Sequence, residues 1–195
     1  QYTDEEFTKI NTYIKHQRDF DFTYAGLQQV VDKYLVQDRS TNVVFETPQF
    51  MYMLIAMTLF QNYDKEGRLD YVKKYYDAIS TFKISIPTPI MAGVRTPLRQ
   101  FASCVLVDSD DTLDSLFSSD MAIGRYVAQR AGIGINAGRI RGLGSKIRGG
   151  EVQHTGVIPF LKKFEATVRS CTQNGVRGGS AVSYTHLTLP TTTPV

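Results

Sequence analysis

The two cysteines are the side chains of this chain best suited to redox or nucleophilic chemistry. Cys104 follows Ser103 within the apolar run FASCVLVD, Phe101–Asp108, and Cys171 lies much further along the chain. Two cysteines cannot build a disulfide framework, which favours a reducing compartment and a cytoplasmic location. A cysteine in a buried strand is more often a packing residue than a reactive thiol, so position alone favours packing for Cys104.

Basic side chains are concentrated among glycines in the second half of the chain. Between Arg125 and Arg177 there are ten Lys or Arg residues and two acidic residues, and twelve of the fifteen glycines lie from Gly124 onward. Backbone N–H groups beside positive charge suit phosphate, although a solvated basic face explains the composition equally well. Four basic residues are spaced along the glycine-rich segment as clamps on a polyphosphate would be: Arg139, Arg141, Lys146 and Arg148.

The common nucleotide-binding and catalytic motifs are absent or incomplete. Gly132 and Gly134 give only G-x-G, without the third glycine of a dinucleotide fingerprint, and no P-loop sequence occurs. Neither a nucleophile elbow nor a kinase signature is present. Aromatic residues do not alternate with the basic ones from 139 to 148, so we expect no direct contact with nucleic acid.

Other features exclude further classes of protein. His16, His154 and His186 lack acidic or thiol neighbours at ligand spacing, which predicts no metal site. No run of eighteen apolar residues occurs, so no membrane span or membrane partner is expected. The chain begins at Gln1 without a Met or a signal pattern, and we expect it to be a fragment of a longer protein.

The first eighty residues predict helices. Thr3-Asp4-Glu5-Glu6 is a capping box, and Leu27, Val30 and Tyr34 mark a second helix. Thr47-Pro48 supplies an N-cap and a first-turn proline for a helix to about Asn62 that is apolar nearly all round and must be buried. A fourth helix carries its apolar stripe at Leu69, Val72, Tyr76 and Ile79.

Alternating strands and helices are predicted next. Residues 82–86 and 101–108 predict strands, the second one buried, and residues 133–135 a brief strand. Asp111 with Asp114 resembles a capping pair for a helix to about Arg130, and residues 157–169 predict another helix. The pattern indicates an α/β fold in which a helical N-terminal segment precedes an α/β core. We therefore divide the chain into a helical segment at residues 1–80, an α/β part at residues 81–181 and a tail at residues 182–195.

A family resemblance runs from about Tyr2 to about Ala181. Segments such as KYLVQDR, STFKISIPTPIMAGVRTPLRQFASCVLVDSDDTLDS and YVAQRAGIGINAGRIRGLGSKIRGGEVQHTGVIPFLKKFEATVRSCTQNGVRGG closely resemble the large, catalytic subunit of class I ribonucleotide reductase. The resemblance implies a ten-stranded α/β barrel, incomplete in this chain. It also implies thiol- and radical-dependent reduction of ribonucleoside diphosphates to 2′-deoxyribonucleoside diphosphates.

The resemblance assigns a substrate site. Cys104 matches one of the two thiols that reduce the substrate and emerge as a disulfide, which replaces the packing interpretation. Thr88 and Ser103 match residues lining the pocket near the substrate diphosphate, and Gly132 matches a backbone position in contact with substrate. Hydroxyl groups and bare glycine backbone are suited to gripping phosphate and hydroxyl oxygens.

The resemblance also assigns an allosteric site for dNTP or ATP effectors, which control the choice of substrate. Asp111 matches the residue that binds the effector sugar, while Arg141 and Arg148 match phosphate-holding arginines. Residues 171–180 match the loop that carries effector identity to the substrate base, with Gln173 and Arg177 as its reading side chains. Cys171 is expected to be structural.

The partners implied by the resemblance lie outside this chain. They are a second large subunit, contacted through the helix 111–130, a metal-containing small subunit that supplies the radical, and thioredoxin or glutaredoxin. No cofactor is expected to bind in this chain. The radical-bearing cysteine and the second redox cysteine would lie beyond its end, and any ATP cone before Gln1, so the 195 residues alone are expected to be inactive.

The alternative function is a non-enzymatic nucleotide-binding regulatory module related to the reductase. A third hypothesis, a nucleic-acid-binding domain, rests on charge alone and runs against the expectation of no direct nucleic-acid contact. The tail from Val182 departs from the family. VSYTHLTLPT can be back-translated as GTC TCT TAT ACA CAT CTG ACG CTG CCG ACG, which reads like a transposase-type sequencing adapter. We expect the last fourteen residues to be an assembly artefact and assign no function to His186.

Overall fold

A computed structural model describes residues 2–98, 100–171 and 181–184. The chain divides into two compact units, Gln1–Phe101 and Ala102–Val195, which are called unit one and unit two. Gln173 and Arg177 lie outside the described residues. No helix in the described ranges combines the length and apolar character needed to cross a membrane.

Unit one is mostly helical, as predicted, with a short 3-10 helix after α1 and a two-stranded antiparallel hairpin after α2. Its elements are α1 (Asp4–Tyr13), α2 (Tyr24–Lys33), β1 (Gln37–Asp38), β2 (Val43–Val44), α3 (Pro48–Phe60), α4 (Arg68–Ser80) and α5 (Thr88–Gly93).

Helices α1 and α3 start where the sequence predicts them. Thr3 and Glu6 form the reciprocal capping box of α1, and the Thr47 hydroxyl accepts a hydrogen bond from the Phe50 amide at the start of α3. Helix α3 is buried on most sides, with Met51 and Ile55 fully inaccessible to solvent. The core of unit one therefore surrounds α3.

The strand predicted at residues 82–86 is wrong. The amides of Lys83 and Ile84 bond back to the carbonyl oxygen of Ala78, at 2.9 and 3.3 Å, and so complete the end of α4. Phe82 has a φ of 57°, a left-handed conformation that is common just after the last residue of a helix. Its ring packs edge-on against the ring of Phe22. The alternation of apolar residues thus reflects a loop packed on the helices, not a ladder.

Unit two contains a three-stranded sheet in the order β3-β4-β7, in which both pairs are parallel. Helices connect its strands, and a small antiparallel hairpin precedes the last helix. Its elements are β3 (Cys104–Asp108), α6 (Leu113–Ala128), β4 (Gly132–Asn136), β5 (Lys146–Ile147), β6 (Val152–Gln153), α7 (Ile158–Cys171) and β7 (Ala181–Tyr184). Strand β7 includes three residues of the segment predicted to be artefactual, a prediction that the nucleotide record tests.

One face of the sheet packs against α6 and α7. Ile133 and Ile135 of β4 are buried with Ile123 of α6 and Phe164 of α7, and Val105 packs on the same cluster. The expectation that β3 is buried on both faces is wrong, because Cys104 and Leu106 are exposed on the other face. The sheet therefore presents an open face that carries the thiol.

Side chains also join the two helices of unit two. The carboxylate of Asp120 in α6 accepts hydrogen bonds from the ammonium of Lys163 and from the hydroxyl of Thr167 in α7. Gly124 allows close approach, since a Cβ there would lie 3.2 Å from Sγ of Cys171. Cys171 is a partly buried packing residue at the end of α7.

Candidate functional site

Three predicted substrate residues meet at the amino end of β3 and β4. Cys104 is the register partner of Gly132 in the parallel ladder. The Gly132 amide donates a hydrogen bond to the carbonyl oxygen of Ser103 at 2.9 Å. The ladder therefore brings together residues that are well separated in sequence.

Glycines leave space beside the thiol. Cys104 and Leu106 are the register partners of Gly132 and Gly134, so β4 places no side chain beside either of them on this face. Bare backbone permits a ligand to approach the thiol closely. A thiol in this position can donate hydrogen and electrons and can form a disulfide with a second thiol.

Thr88, the fourth predicted substrate residue, belongs to unit one. It is the first residue of α5 and is half-buried. Its Oγ1 lies 3.4 Å from the hydroxyl oxygen of Tyr34, and either group can donate. Because Thr88 and Cys104 belong to different units, their common contact with one substrate stays a prediction.

Asp111 and Arg141, both predicted effector residues, are paired directly. The Asp111 carboxylate accepts hydrogen bonds from the Arg141 amide at 3.0 Å and from its Nε at 2.5 Å. Burial raises the pKa of Asp111, but the bonds and charge of Arg141 outweigh burial and hold this pKa below its ordinary value. Asp111 is therefore an ionised acceptor, suited to a sugar hydroxyl.

The predicted capping role of Asp111 is wrong. Thr112 is the N-cap of α6, and its hydroxyl accepts a hydrogen bond from the Ser115 amide at 3.2 Å. The Ser115 hydroxyl in turn accepts from the Asp110 amide at 2.9 Å. With the helix capped in this way, the Asp111 carboxylate is left to bind Arg141.

A cleft of about 410 Å³ opens beside this pair. Its walls are mostly apolar, and the lining residues are Asp111, Leu113, Leu116, Arg141, Ile147, Val152, Gln153, His154, Thr155 and Phe160. The His154 ring stacks on Phe160 with an interplanar angle of 12°, and its Nδ1 accepts a hydrogen bond from the Gly156 amide at 3.0 Å. These aromatic walls could not be predicted from the sequence, because the nearby glycines and basic residues carried the only local signal.

Two of the four basic residues predicted to bind a polyphosphate form ion pairs with carboxylates of the chain. Arg139 pairs with Asp108 at 3.1 Å, and Arg141 pairs with Asp111. Lys146 and Arg148 are exposed on the β5–β6 hairpin and make no ion pair with any residue that the structure describes. Arg148 has a φ of 51°, beside Gly149 and Gly150 with φ values of 69° and 104°. The hairpin thus turns tightly next to Lys146 and Arg148, which have no ion-pair partner among the described residues.

Within residues 2–98, 100–171 and 181–184, no group of three or more His, Cys, Asp or Glu side chains is arranged to hold a metal ion. The predicted site residues that the structure describes contribute a thiol, hydroxyl groups, a carboxylate and guanidinium groups.

Comparison with known families identifies both units. Residues 20–99 match the ribonucleotide reductase all-alpha domain, and residues 102–190 match the ribonucleotide reductase barrel domain. The ribonucleoside-diphosphate reductase 1 subunits alpha of Salmonella typhimurium and Escherichia coli are each 60% identical over 183 residues. The subunit alpha of Enterobacteria phage T4 is 52% identical over 184 residues.

Each alignment covers 94% of this chain but 24% of the relative, so the chain spans about a quarter of the length of these proteins. The two matched domains belong to one family and together cover most of the chain. The chain belongs to the ribonucleotide reductase large-subunit family.

Proposed function

We propose that the protein to which this chain belongs reduces ribonucleoside diphosphates to 2′-deoxyribonucleoside diphosphates. The observation that carries the proposal is the position of Cys104, exposed beside the bare backbone of Gly132 at the amino end of the sheet. The relatives of this chain that are named above are ribonucleoside-diphosphate reductase alpha subunits. We propose a reducing compartment, the cytoplasm, because Cys104 and Cys171 are free thiols.

The proposed reaction balances with two thiols. Cys104 and a second cysteine outside this chain lose two hydrogens and become a disulfide. The substrate 2′-hydroxyl leaves as water, and C2′ gains a hydrogen in its place. A radical supplied by a metal-containing small subunit opens the reaction, and thioredoxin or glutaredoxin reduces the disulfide afterwards.

Replacement of Cys104 tests the catalytic proposal. In the full-length protein with its small subunit, Cys104→Ser should abolish multiple turnover supported by thioredoxin, because serine cannot form the disulfide. Cys171→Ser is the matched control: this partly buried thiol at the end of α7 has no proposed redox role, so turnover should persist. Multiple turnover by Cys104→Ser would contradict the role assigned to Cys104.

The cleft beside Asp111 is proposed to bind the dNTP or ATP effector. A volume of about 410 Å³ and mostly apolar walls are typical of small-molecule sites. In this proposal the ionised Asp111 accepts a hydrogen bond from the sugar, and Arg141 and Arg148 hold phosphates. Arg141 retains further N–H donors after pairing with Asp111 through its Nε. Residues 171–180, with Gln173 and Arg177, transmit the identity of the effector.

Substitution on the hairpin tests the effector site. Arg148→Ala should weaken dNTP binding, because one phosphate-holding cation is lost, while effector-free reduction persists. The control is Arg169→Ala, which removes an exposed arginine of α7 that pairs with Glu165 four residues away. Equilibrium dialysis with labelled dNTP measures the affinity, and equal affinity in Arg148→Ala and the unmodified protein would contradict the site.

Two large subunits are proposed to associate through α6. Leu113, Phe117 and Met121 recur every four residues along this helix and are 60%, 52% and 55% exposed in the chain. An exposed apolar stripe at this spacing suits helix–helix packing. Phe117→Asp should convert the full-length dimer into monomers in sedimentation experiments, and an unchanged dimer would place the interface elsewhere.

The alternative is a nucleotide-binding regulatory module without catalysis. It predicts that the complete reading frame lacks the downstream radical cysteine, whereas the proposed enzyme requires one.

A further inference from the structure

Helix α5 carries Thr88 at its first position, and side chains from earlier in unit one hold this helix. Tyr34 directly follows α2 and is 9% exposed. Its hydroxyl oxygen lies 3.4 Å from Oγ1 of Thr88. This is long for an O–H···O bond, but hydrogen bonds at catalytic sites are often long without substrate and shorten in the complex.

A buried ion pair fixes the other end of α5. The Arg95 side chain is 5% exposed and that of Glu46 is 6% exposed, and Nε of Arg95 donates to both carboxylate oxygens at 3.1 and 3.0 Å. Arg95 also donates to the carbonyl oxygens of Met91 in α5 and of Tyr34, the latter at 2.8 Å.

Tyr34 is therefore part of a closed ring of contacts. Its hydroxyl meets the start of α5, and its carbonyl is held by the same guanidinium that holds the Met91 carbonyl. The Glu46 carboxylate also accepts a hydrogen bond from the Val36 amide at 2.7 Å. The Tyr34 backbone is thus tied through Arg95 to α5, the helix that begins at Thr88.

We propose that Tyr34 is a positioning residue that donates its hydroxyl hydrogen to Thr88 and so directs the Thr88 hydroxyl at the substrate diphosphate. The inference rests on the proposed function, in which Thr88 contacts the substrate. A threonine hydroxyl has one hydrogen to donate and two lone pairs. Ionised phosphate oxygens accept hydrogen bonds, so Thr88 must keep its hydrogen for them. Tyr34 is then the donor of the pair, and Thr88 accepts from it.

The test is Tyr34→Phe in the full-length large subunit, assayed with its small subunit. Loss of one neutral hydrogen bond should raise KM for the ribonucleoside diphosphate about two- to twelvefold. The diphosphate does not react, so its contact with Thr88 should be equally strong in the ground state and the transition state, and kcat should stay unchanged. Tyr2→Phe is the matched control: it removes a half-buried tyrosine hydroxyl that donates to the Met57 carbonyl at 2.8 Å, and KM should not change. Melting temperatures of all variants report folding.

Thr88→Val and the double variant separate the possible failures. If Tyr34 acts through Thr88, Tyr34→Phe adds no further rise in KM to that of Thr88→Val. An unchanged KM in Tyr34→Phe, or a further rise in the double variant, overturns the positioning role alone. An unchanged KM in Thr88→Val overturns the substrate contact of Thr88. Absence of ribonucleotide reduction by the unmodified protein overturns the proposed function itself.

Discussion

Removing the charge of Arg95 should destabilise α5 and its surroundings strongly. Arg95→Met keeps an unbranched chain of similar reach but leaves the Glu46 carboxylate, 6% exposed, without its cationic partner. It also removes donors from the Met91 and Tyr34 carbonyls. Breaking a buried pair from one side costs about 3–5 kcal/mol, because the remaining charge stays buried and unpaired.

Native-state hydrogen exchange in the full-length protein measures this loss locally. The amides to follow are those of Met91 and Val94, which bond to the Pro87 and Ile90 carbonyls, and that of Phe45, which bonds to Val36. If α5 opens locally, about 3–5 kcal/mol corresponds to exchange that is faster by roughly two to four orders of magnitude. The exposed pair of Arg169 and Glu165 supplies the control, since Arg169→Met should cost about 0.3–0.5 kcal/mol.

A second substitution identifies the cause. Arg95→Met combined with Glu46→Gln removes the orphaned charge, so the double variant should be more stable than Arg95→Met alone. If the Met91 and Val94 amides exchange as slowly in Arg95→Met as in the unmodified protein, the reasoning is refuted. A double variant less stable than Arg95→Met would show that the buried charge is not the dominant cost.

Three further outcomes are expected. Hydrogen bonds from Arg68 and then from the Thr3 amide lower the pKa of Glu6 from 4.5 to about 2. The stability that ionised Glu6 contributes is therefore complete above pH 4.5 and is lost as the pH falls towards 2. Glu6→Gln should flatten this part of a plot of the denaturation midpoint against pH. Phe164→Ala, at a side chain 1% exposed, should cost about 3–5 kcal/mol in denaturant unfolding, against less than about 0.5 kcal/mol for Leu143→Ala at 83% exposure. Thr112→Ala should cost about 1 kcal/mol through loss of the α6 cap, measured by hydrogen exchange in its first turn, and Thr112→Ser should restore it.

The sequence predicted those parts of the fold that depend on neighbouring residues. The capping box at Thr3 and the Thr47-Pro48 start of α3 are local devices, and both were confirmed. The strands around Leu106 and Ile133 were also predicted, although their parallel pairing was not. Predictions from local patterns failed where two different structures have the same sequence pattern. Alternating apolar residues at 82–86 fit a packed loop as well as a strand, and Asp110, Asp111 and Thr112 can each cap a helix.

The parts of the candidate site that join distant residues could not be derived from spacing. Asp111 meets Arg141 thirty residues away, and Tyr34 meets Thr88 across 54 positions. His154 and Phe160 line the cleft only because the β5–β6 hairpin and α7 meet there. The roles proposed for Cys104 and Asp111 came from family resemblance. The structure supplies the neighbours through which those roles can be tested.

The continuity of unit one in sequence has a consequence for protein synthesis. Among the described residues, those of the unit-one core around α3 all lie before Ala102, so they leave the ribosome before β3 does. Contacts such as that between Tyr13 and Asp77 therefore require no segment that is translated later. Strand β3, in contrast, obtains its ladder partner only after α6 and β4 have been made. The helical unit can thus complete its core during translation, while the strand that carries Cys104 still waits for its neighbour.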